Sequence, residues 1–155
     1  METTLTGEDV LKIALDMERT GVIFFEALAS GTEDGRAVAL FGQLAKAEAD
    51  HYAKFKQMSD ALTDGNASVH WTDEQANEFH QLVSANIQPS PEDVRNVAMG
   101  GNMTDAVALA ARMEQDAIDF YTRMLDVVDS DSGETVRQII KSEQSHLRVL
   151  VAFAW

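Results

Sequence analysis

The stretch "LAKAEADHYAKF", residues 44–55, decides how this chain is read. Its apolar residues Leu44, Ala45, Tyr52 and Phe55 recur at the three- and four-residue spacing of one helix face, continued upstream by Phe41 and Val38. Glu48 and His51 fall inside that stripe, three residues apart and so about one turn from each other on one face. A lone Glu-x-x-His is more often surface decoration than anything else. Inside an apolar stripe, however, a carboxylate and an imidazole are costly unless something compensates them.

The stretch has a counterpart. "IIKSEQSHLRVL" at 139–150 carries Glu143 and His146 at the same spacing, set among Val136, Ile139, Ile140, Leu147 and Leu150. "KAEADH" (46–51) aligns with "KSEQSH" (141–146) at an offset of 95. "ALDMERTGVIFF" (14–25) aligns with "AARMEQDAIDFY" (110–121) at an offset of 96, pairing Met17 with Met113, Glu18 with Glu114 and Phe24 with Phe120. Glu18 interrupts the stripe of Leu11, Ala14, Leu15, Val22, Phe25 and Leu28, and Glu114 that of Val107, Ala110, Ala111, Ile118, Tyr121 and Leu125.

These stripes predict an all-α chain with long helices over about 7–30, 33–62, 105–129 and 133–153. Thr6 with Asp9 is expected to cap the first, which ends at Gly31; Thr104 is expected to cap the third, and Asp131 or Ser132 to open the fourth. "GTEDG" and "SDSG" read as tight turns within hairpins. The crossover, 63–103, holds two shorter helices, after Thr72 with Gln75 and after Ser90 with Pro91. The layout is a single domain over 1–155: two antiparallel hairpins joined by a long crossover into a four-helix bundle. Glu18 and Glu48 are each about fifteen residues from their turn, roughly 20 Å along the helix. Glu114 and Glu143 are evenly spaced about the second turn, so all six polar groups are expected in one layer at mid-bundle.

The chain has 155 residues, ample for one core, and a net charge of −14 that argues against nucleic acid and acidic membrane surfaces as partners. It has no cysteine, which excludes disulfides, thiolate zinc and iron–sulfur or rubredoxin-type centres. Any metal must therefore be held by oxygen and nitrogen. No apolar run is long enough for a membrane span, and "METTLTGEDV" lacks the layout of a signal peptide, so a cytoplasmic location is expected. His70 and His80, in the crossover without matched acids, are expected to be solvated or capping groups. Tyr52 and Tyr121 are core fillers first, with a hydrogen bond to a carboxylate or the relay of an electron as the functional alternatives.

Four buried carboxylates must be protonated or compensated, and two divalent cations would supply +4 against −4. Mixed carboxylate and imidazole donors suit iron or manganese, with zinc also able to occupy such a site. Glu18, Glu48, His51, Glu114, Glu143 and His146 form the pattern of ferritin-like di-iron carboxylate bundles: one Glu from each of two helices and Glu-x-x-His from the other two. The chain resembles the ferritin-like superfamily, and within it the rubrerythrin-type di-iron domain, over nearly its whole length. The resemblance implies two iron ions, with Glu18 and Glu114 as terminal carboxylates, Glu48 and Glu143 bridging, and His51 and His146 one to each metal. Rubrerythrins also carry a cysteine-ligated domain and a further Glu one turn after the third-helix ligand; here that position is Ala117, with Gly21 its mate. The six-donor set is thus closer to that of bacterioferritin.

The expected function is that of a non-haem di-iron oxidoreductase, ferroxidase- or peroxidase-like, in which Fe(II) meets O2 or hydrogen peroxide with an unnamed electron donor. A homodimer is the common assembly for such bundles. The alternatives are iron storage or carriage, which the absence of a fifth helix after "VAFAW" disfavours, and a metal-stabilised interaction module without catalysis.

Overall fold

Capping residues set where each helix begins. In α1 (Gly7–Ser30) the Thr6 hydroxyl accepts from the Asp9 N–H at 3.2 Å while the Thr6 N–H donates to Asp9 Oδ2 at 2.8 Å. The helix ends at Gly31, whose N–H returns to the Ala27 and Leu28 carbonyls. A short turn follows, in which Thr32 Oγ1 accepts from the Asp34 N–H and Asp34 caps α2 (Gly35–Thr63). The helix thus begins two residues after the expected start at 33. Thr72 with Gln75 opens α3 (Asp73–Ala85), and Ser90 with Asp93 opens α4 (Pro91–Met99) with Pro91 in its first turn. Two longer helices complete the chain, α5 (Met103–Met124) and α6 (Ser130–Ala152).

These elements come from a computed structural model that describes residues 5–85 and 89–153. Among the described residues all regular structure is helical, apart from one isolated bridge. None of these helices is long and apolar enough to cross a membrane. The termini of the expected 1–155 domain, including the last two residues of "VAFAW", lie outside the described residues.

Around the second hairpin the structure corrects the sequence reading. Asn102, not Thr104, caps α5, its Oδ1 accepting from the Asp105 N–H. The helix stops at Met124 rather than at 129, and α6 begins at Ser130 rather than 133. "SDSG" is therefore the first turn of a helix, and the connection is residues 125–129. The reason is a partner distant in sequence. Val128 bridges Val69, the His70 N–H donates to the Val127 carbonyl, and the Asp129 N–H donates to the Ser68 carbonyl. Asp129 then serves twice: Oδ2 accepts from the Ser68 N–H at 3.0 Å and Oδ1 caps α6 through the Ser132 N–H at 2.9 Å. At the opposite end, Val38 is exposed and Ala37 takes the inward position.

Packing follows from the antiparallel hairpins. α1 lies against α2 and α5 against α6, while α4 covers α1 and α3 covers α5. Two apolar clusters result. One gathers Val10, Leu11, Phe55, Phe79, Tyr121, Met124, Val136 and Ile139; the other gathers Phe24, Phe25, Leu28, Phe41, Val94, Ala106 and Leu150. Each fully buried phenylalanine contributes roughly 1.5–3 kcal/mol of transfer energy. Between the clusters lies a layer that is not apolar: Glu18, Glu48, His51, Glu114 and Glu143 are all buried.

The double role of Asp129 makes a direct prediction. Asp129→Ala should lower stability by about 1–2 kcal/mol in urea unfolding at neutral pH. Backbone N–H groups of Ser132 and Ser68 hold the Asp129 carboxyl below its usual 3.8, so its contribution is present above that value. The wild-type advantage should fade as pH falls through the lowered pKa.

Candidate metal centre

All six polar residues singled out in the sequence come together in the layer between the clusters. Glu18 stands on α1, Glu48 and His51 on α2, Glu114 on α5, and Glu143 and His146 on α6. Only the His146 side chain reaches partway toward solvent, at 12% exposure. His70 and His80 are exposed and stand apart from the layer.

The geometry repeats about the middle of the bundle. His51 Nδ1 lies 2.9 Å from Glu143 Oε1 and 3.6 Å from both Glu18 Oε2 and Glu48 Oε2. His146 Nδ1 lies 3.2 Å from Glu143 Oε2, 3.4 Å from Glu48 Oε1 and 3.8 Å from Glu114 Oε2. The imidazole rings face each other, 5.9 Å between centroids. Two four-residue donor sets result, Glu18, Glu48, His51, Glu143 and Glu48, Glu114, Glu143, His146, each with donor atoms within 4.8 Å of one another. Glu48 and Glu143 belong to both sets, each turning one oxygen toward either histidine.

Electrostatics leave this layer crowded with protons. Burial, and then the charge of Glu48, push Glu18 up to about 8. Burial and the charges of Glu48 and Glu143 likewise raise Glu114 well above the usual range. Burial opposes charge on both imidazoles, but the surrounding carboxylates, Glu143 foremost, outweigh it and raise His51 to about 12 and His146 to about 9. For Glu48, burial and Glu143 oppose ionisation, yet the polar groups of Glu18, His146 and His51 around it prevail and lower its pKa. Raised values at Glu18, Glu114 and both histidines favour the protonated forms of these groups, the positive charge that a cation would replace.

A metal fits this donor set on independent grounds. Glu18 Oε2 is fully buried and has no hydrogen-bond partner, being too far from His51 Nδ1 for one. An orphaned buried oxygen costs roughly 1–3 kcal/mol, more when charged, unless a ligand satisfies it. Beside it lies a cavity of about 20 Å³, lined by Met17, Gly21, Phe25, Met113, Ala117 and the acids, with room for about one water. Gly21 keeps Glu48 in place, because a Cβ there would come within 3.3 Å of Glu48 Cγ.

Two groups hold the donors from outside, and both break the internal repeat. The Tyr121 hydroxyl donates to Glu18 Oε1 at 2.6 Å, taking up the functional alternative that its sequence position left open. Its repeat partner is Phe25, which has no hydroxyl to offer Glu114. Ser142 Oγ lies 3.3 Å from His146 Nε2, one turn before it on α6. The repeat partner of Ser142 is Ala47, so His51 lacks such a neighbour on its own helix. Sequence reasoning missed Ser142, although its i, i+4 spacing to His146 was available as a signal.

The crowding has a measurable consequence in metal-free protein. Because the folded pKa of Glu114 is raised, its burial costs nothing below pH 4.5 and progressively more above it, by up to about 1.4 kcal/mol per pH unit. Metal-free Glu114→Gln should therefore gain on metal-free wild type as pH rises from 5 to 8 in thermal unfolding. A difference between the two that does not change with pH would contradict this account of the layer.

Comparison with known proteins agrees with the geometry. No curated protein sequence matches the chain. A structure described as that of a ferritin-like diiron-carboxylate protein from Thermotoga maritima superposes with a TM-score of 0.72 at 22% identity, covering 97% of this chain and 95% of that one. The fold is thus ferritin-like. The rubrerythrin family model matches residues 9–154, nearly the full length, and the chain belongs to the rubrerythrin family.

Proposed function

We propose that the buried layer binds two metal ions, iron in the working protein, and that the protein is a non-haem di-iron oxidoreductase acting on O2 or hydrogen peroxide. The observation that carries this reading is the pair of overlapping donor sets that share Glu48 and Glu143. Glu18 and His51 would hold one ion, Glu114 and His146 the other, with Glu48 and Glu143 between them. Two divalent cations neutralise four carboxylates, which relieves the cost of burying them. Oxygen and imidazole donors without thiolate suit iron, with manganese or zinc as competitors.

When bound, an iron pair supplies electrons to a small oxidant. The residues of the chain do the rest. Both imidazoles shed a proton on loading, and so does Glu18, which makes loading a proton-releasing event. Tyr121 and Ser142 restrain Glu18 and His146 at the rim of the layer. The two apolar clusters exclude bulk water from either side. Gly21 and Ala117, where a rubrerythrin-type site would bring a further carboxylate, leave room of about one water beside Glu48 and Glu114. These 155 residues contain no cysteine to bind a thiolate iron, and the electron donor in this reading is a separate group.

Metal identity and stoichiometry in protein purified from its native host test the reading most directly, because a recombinant host can load the wrong ion. Two iron ions per chain are expected, and rapid mixing of the Fe(II) form with peroxide should oxidise them faster than free Fe(II). Glu48→Ala combined with Glu143→Ala should abolish binding of two metals, and unchanged metal content in that variant would sink the assignment. The proton count gives a second check. Apparent affinity for a spectroscopic probe such as Co(II) should rise with pH through 7 to 9, as His146 and Glu18 lose the protons that compete with the ion.

A further inference from the structure

The surface charge of the bundle is unevenly divided. α2 and α6 lie side by side, and together they carry seven of the chain's twelve lysines and arginines but six of its 26 acids. Two of those six, Glu48 and Glu143, are buried in the layer, which leaves Asp50, Asp60, Asp131 and Glu134 exposed. Seven positive charges against four negative give this helix pair an outward charge of +3, in a chain whose net charge is −14. Both crossover helices pack elsewhere, α4 on α1 and α5 and α3 on α5, so among the described residues α2 and α6 keep their outer faces open. Lys54 pairs with Asp50, Lys56 with Asp60 and Arg137 with Glu134, each within its own helix. Lys46, Lys141 and Arg148 are exposed and meet no carboxylate among the described residues. Lys46 and Lys141 are repeat mates, each two residues before a carboxylate of the layer, and Arg148 follows His146 by two. The unpaired cations thus stand at the depth of the layer. His146 is also the member of the layer that reaches solvent, and Val149, 42% exposed, adds an apolar contact one turn beyond it.

We propose that the outer face of α2 and α6 is the docking surface for an acidic one-electron carrier protein, which Lys46, Lys141 and Arg148 hold over His146. The inference rests on the metal reading above. Each docking moves one electron: the carrier is oxidised by one, the metal pair is reduced by one, and no bond is made or broken. Two carriers in turn restore what hydrogen peroxide removes when it takes two electrons, with two protons from solvent, to form two waters. Charge complementarity at the rim of a contact speeds encounter and selects the partner. At about 0.15 M salt the screening length is roughly 8 Å, less than the roughly 10 Å diameter of one helix. An approaching protein therefore senses the face in front of it rather than the net charge of the whole chain. A second copy of this chain is the poorer occupant, because a twofold contact through this face sets the same cations against each other.

The test uses a plant-type [2Fe–2S] ferredoxin as the acidic carrier and the full chain, with metal content measured on every sample. Docking is read by nuclear magnetic resonance on the isotopically labelled chain, with and without zinc, which takes no part in electron transfer. Oxidised ferredoxin should broaden the amide signals around Lys46, Lys141, Arg148 and Val149 through its paramagnetism. Electron delivery is read by stopped flow on the iron-loaded chain mixed with reduced ferredoxin at about 0.15 M salt. The combined variant Lys46→Glu, Lys141→Glu and Arg148→Glu should slow the second-order rate at least about tenfold, and higher salt should narrow that gap. Arg95→Glu with Arg112→Glu, which reverses exposed cations on α4 and α5, should leave the rate unchanged. Broadening centred on another face, or equal rates in wild type and the triple variant, would overturn the docking surface. Dimerisation of the chain alone, seen by sedimentation in wild type and lost in the triple variant, would overturn it in favour of a second copy. Samples that fail to hold two metals would overturn the metal reading and the electron step, while the broadening map still decides the docking face.

Discussion

Four carboxylates placed in one buried layer are the constraint on which the rest of the molecule depends. Glu18, Glu48, Glu114 and Glu143 are each at least 96% removed from solvent, and the charged neighbours within 4 Å among the described residues are His51 and His146. Burial of that much like charge is unfavourable by several kcal/mol per ion unless positive charge enters the layer. The chain's own supply is two imidazoles and the protons its acids retain. A fold optimised for stability alone would place leucine or isoleucine here, as it does immediately above and below. The layer persists in a bundle otherwise packed to apolar rule, which marks it as the part that serves function rather than folding.

The apolar clusters and the helix ends are what make such a layer tolerable. Each cluster closes one end of the bundle with large rings, Phe24, Phe25 and Phe41 on one side and Phe55, Phe79 and Tyr121 on the other. The crossover does more than return the chain to its starting end. Phe79 of α3 and Val94 of α4 complete the two clusters, and Ser68 to His70 latch onto the connection between α5 and α6. Four helix axes held this way bring donors from four separate elements into two overlapping sets, each drawn from three helices with its donor atoms within 4.8 Å of one another. Sites on rigid helices hold geometry more closely than sites on loops.

Much of this was legible in the sequence because the acids violate a pattern. Glu18, Glu48, Glu114 and Glu143 interrupt apolar stripes that are otherwise regular, and the repeat between 46–51 and 141–146 pairs them. The boundary between α5 and α6 was not legible. Val127 and Val128 continue the stripe of α5, so periodicity alone extends the helix, while the groups that end it sit far back in the sequence at Ser68, Val69 and His70. Asn102 and Thr104 are both good caps, and only the side-chain contact to Asp105 separates them. Ala37 and Val38 show the same weakness, since a stripe drawn from the larger residue points outward. The Tyr121 hydroxyl contact joins residues 103 positions apart and cannot be read from local spacing.

Among the places where the internal repeat is broken beside the layer are Phe25 against Tyr121 and Ala47 against Ser142. Two identical hairpins, associating as separate chains, would supply the same six donors with perfect twofold symmetry. They could not place a hydroxyl beside one terminal carboxylate and a benzene ring at the matching position of the other, because every substitution would appear twice. Carrying both halves in one chain removes that duplication. Each half then carries its own residues while both enclose a common centre, and the bundle has a front and a back that strict twofold symmetry would forbid.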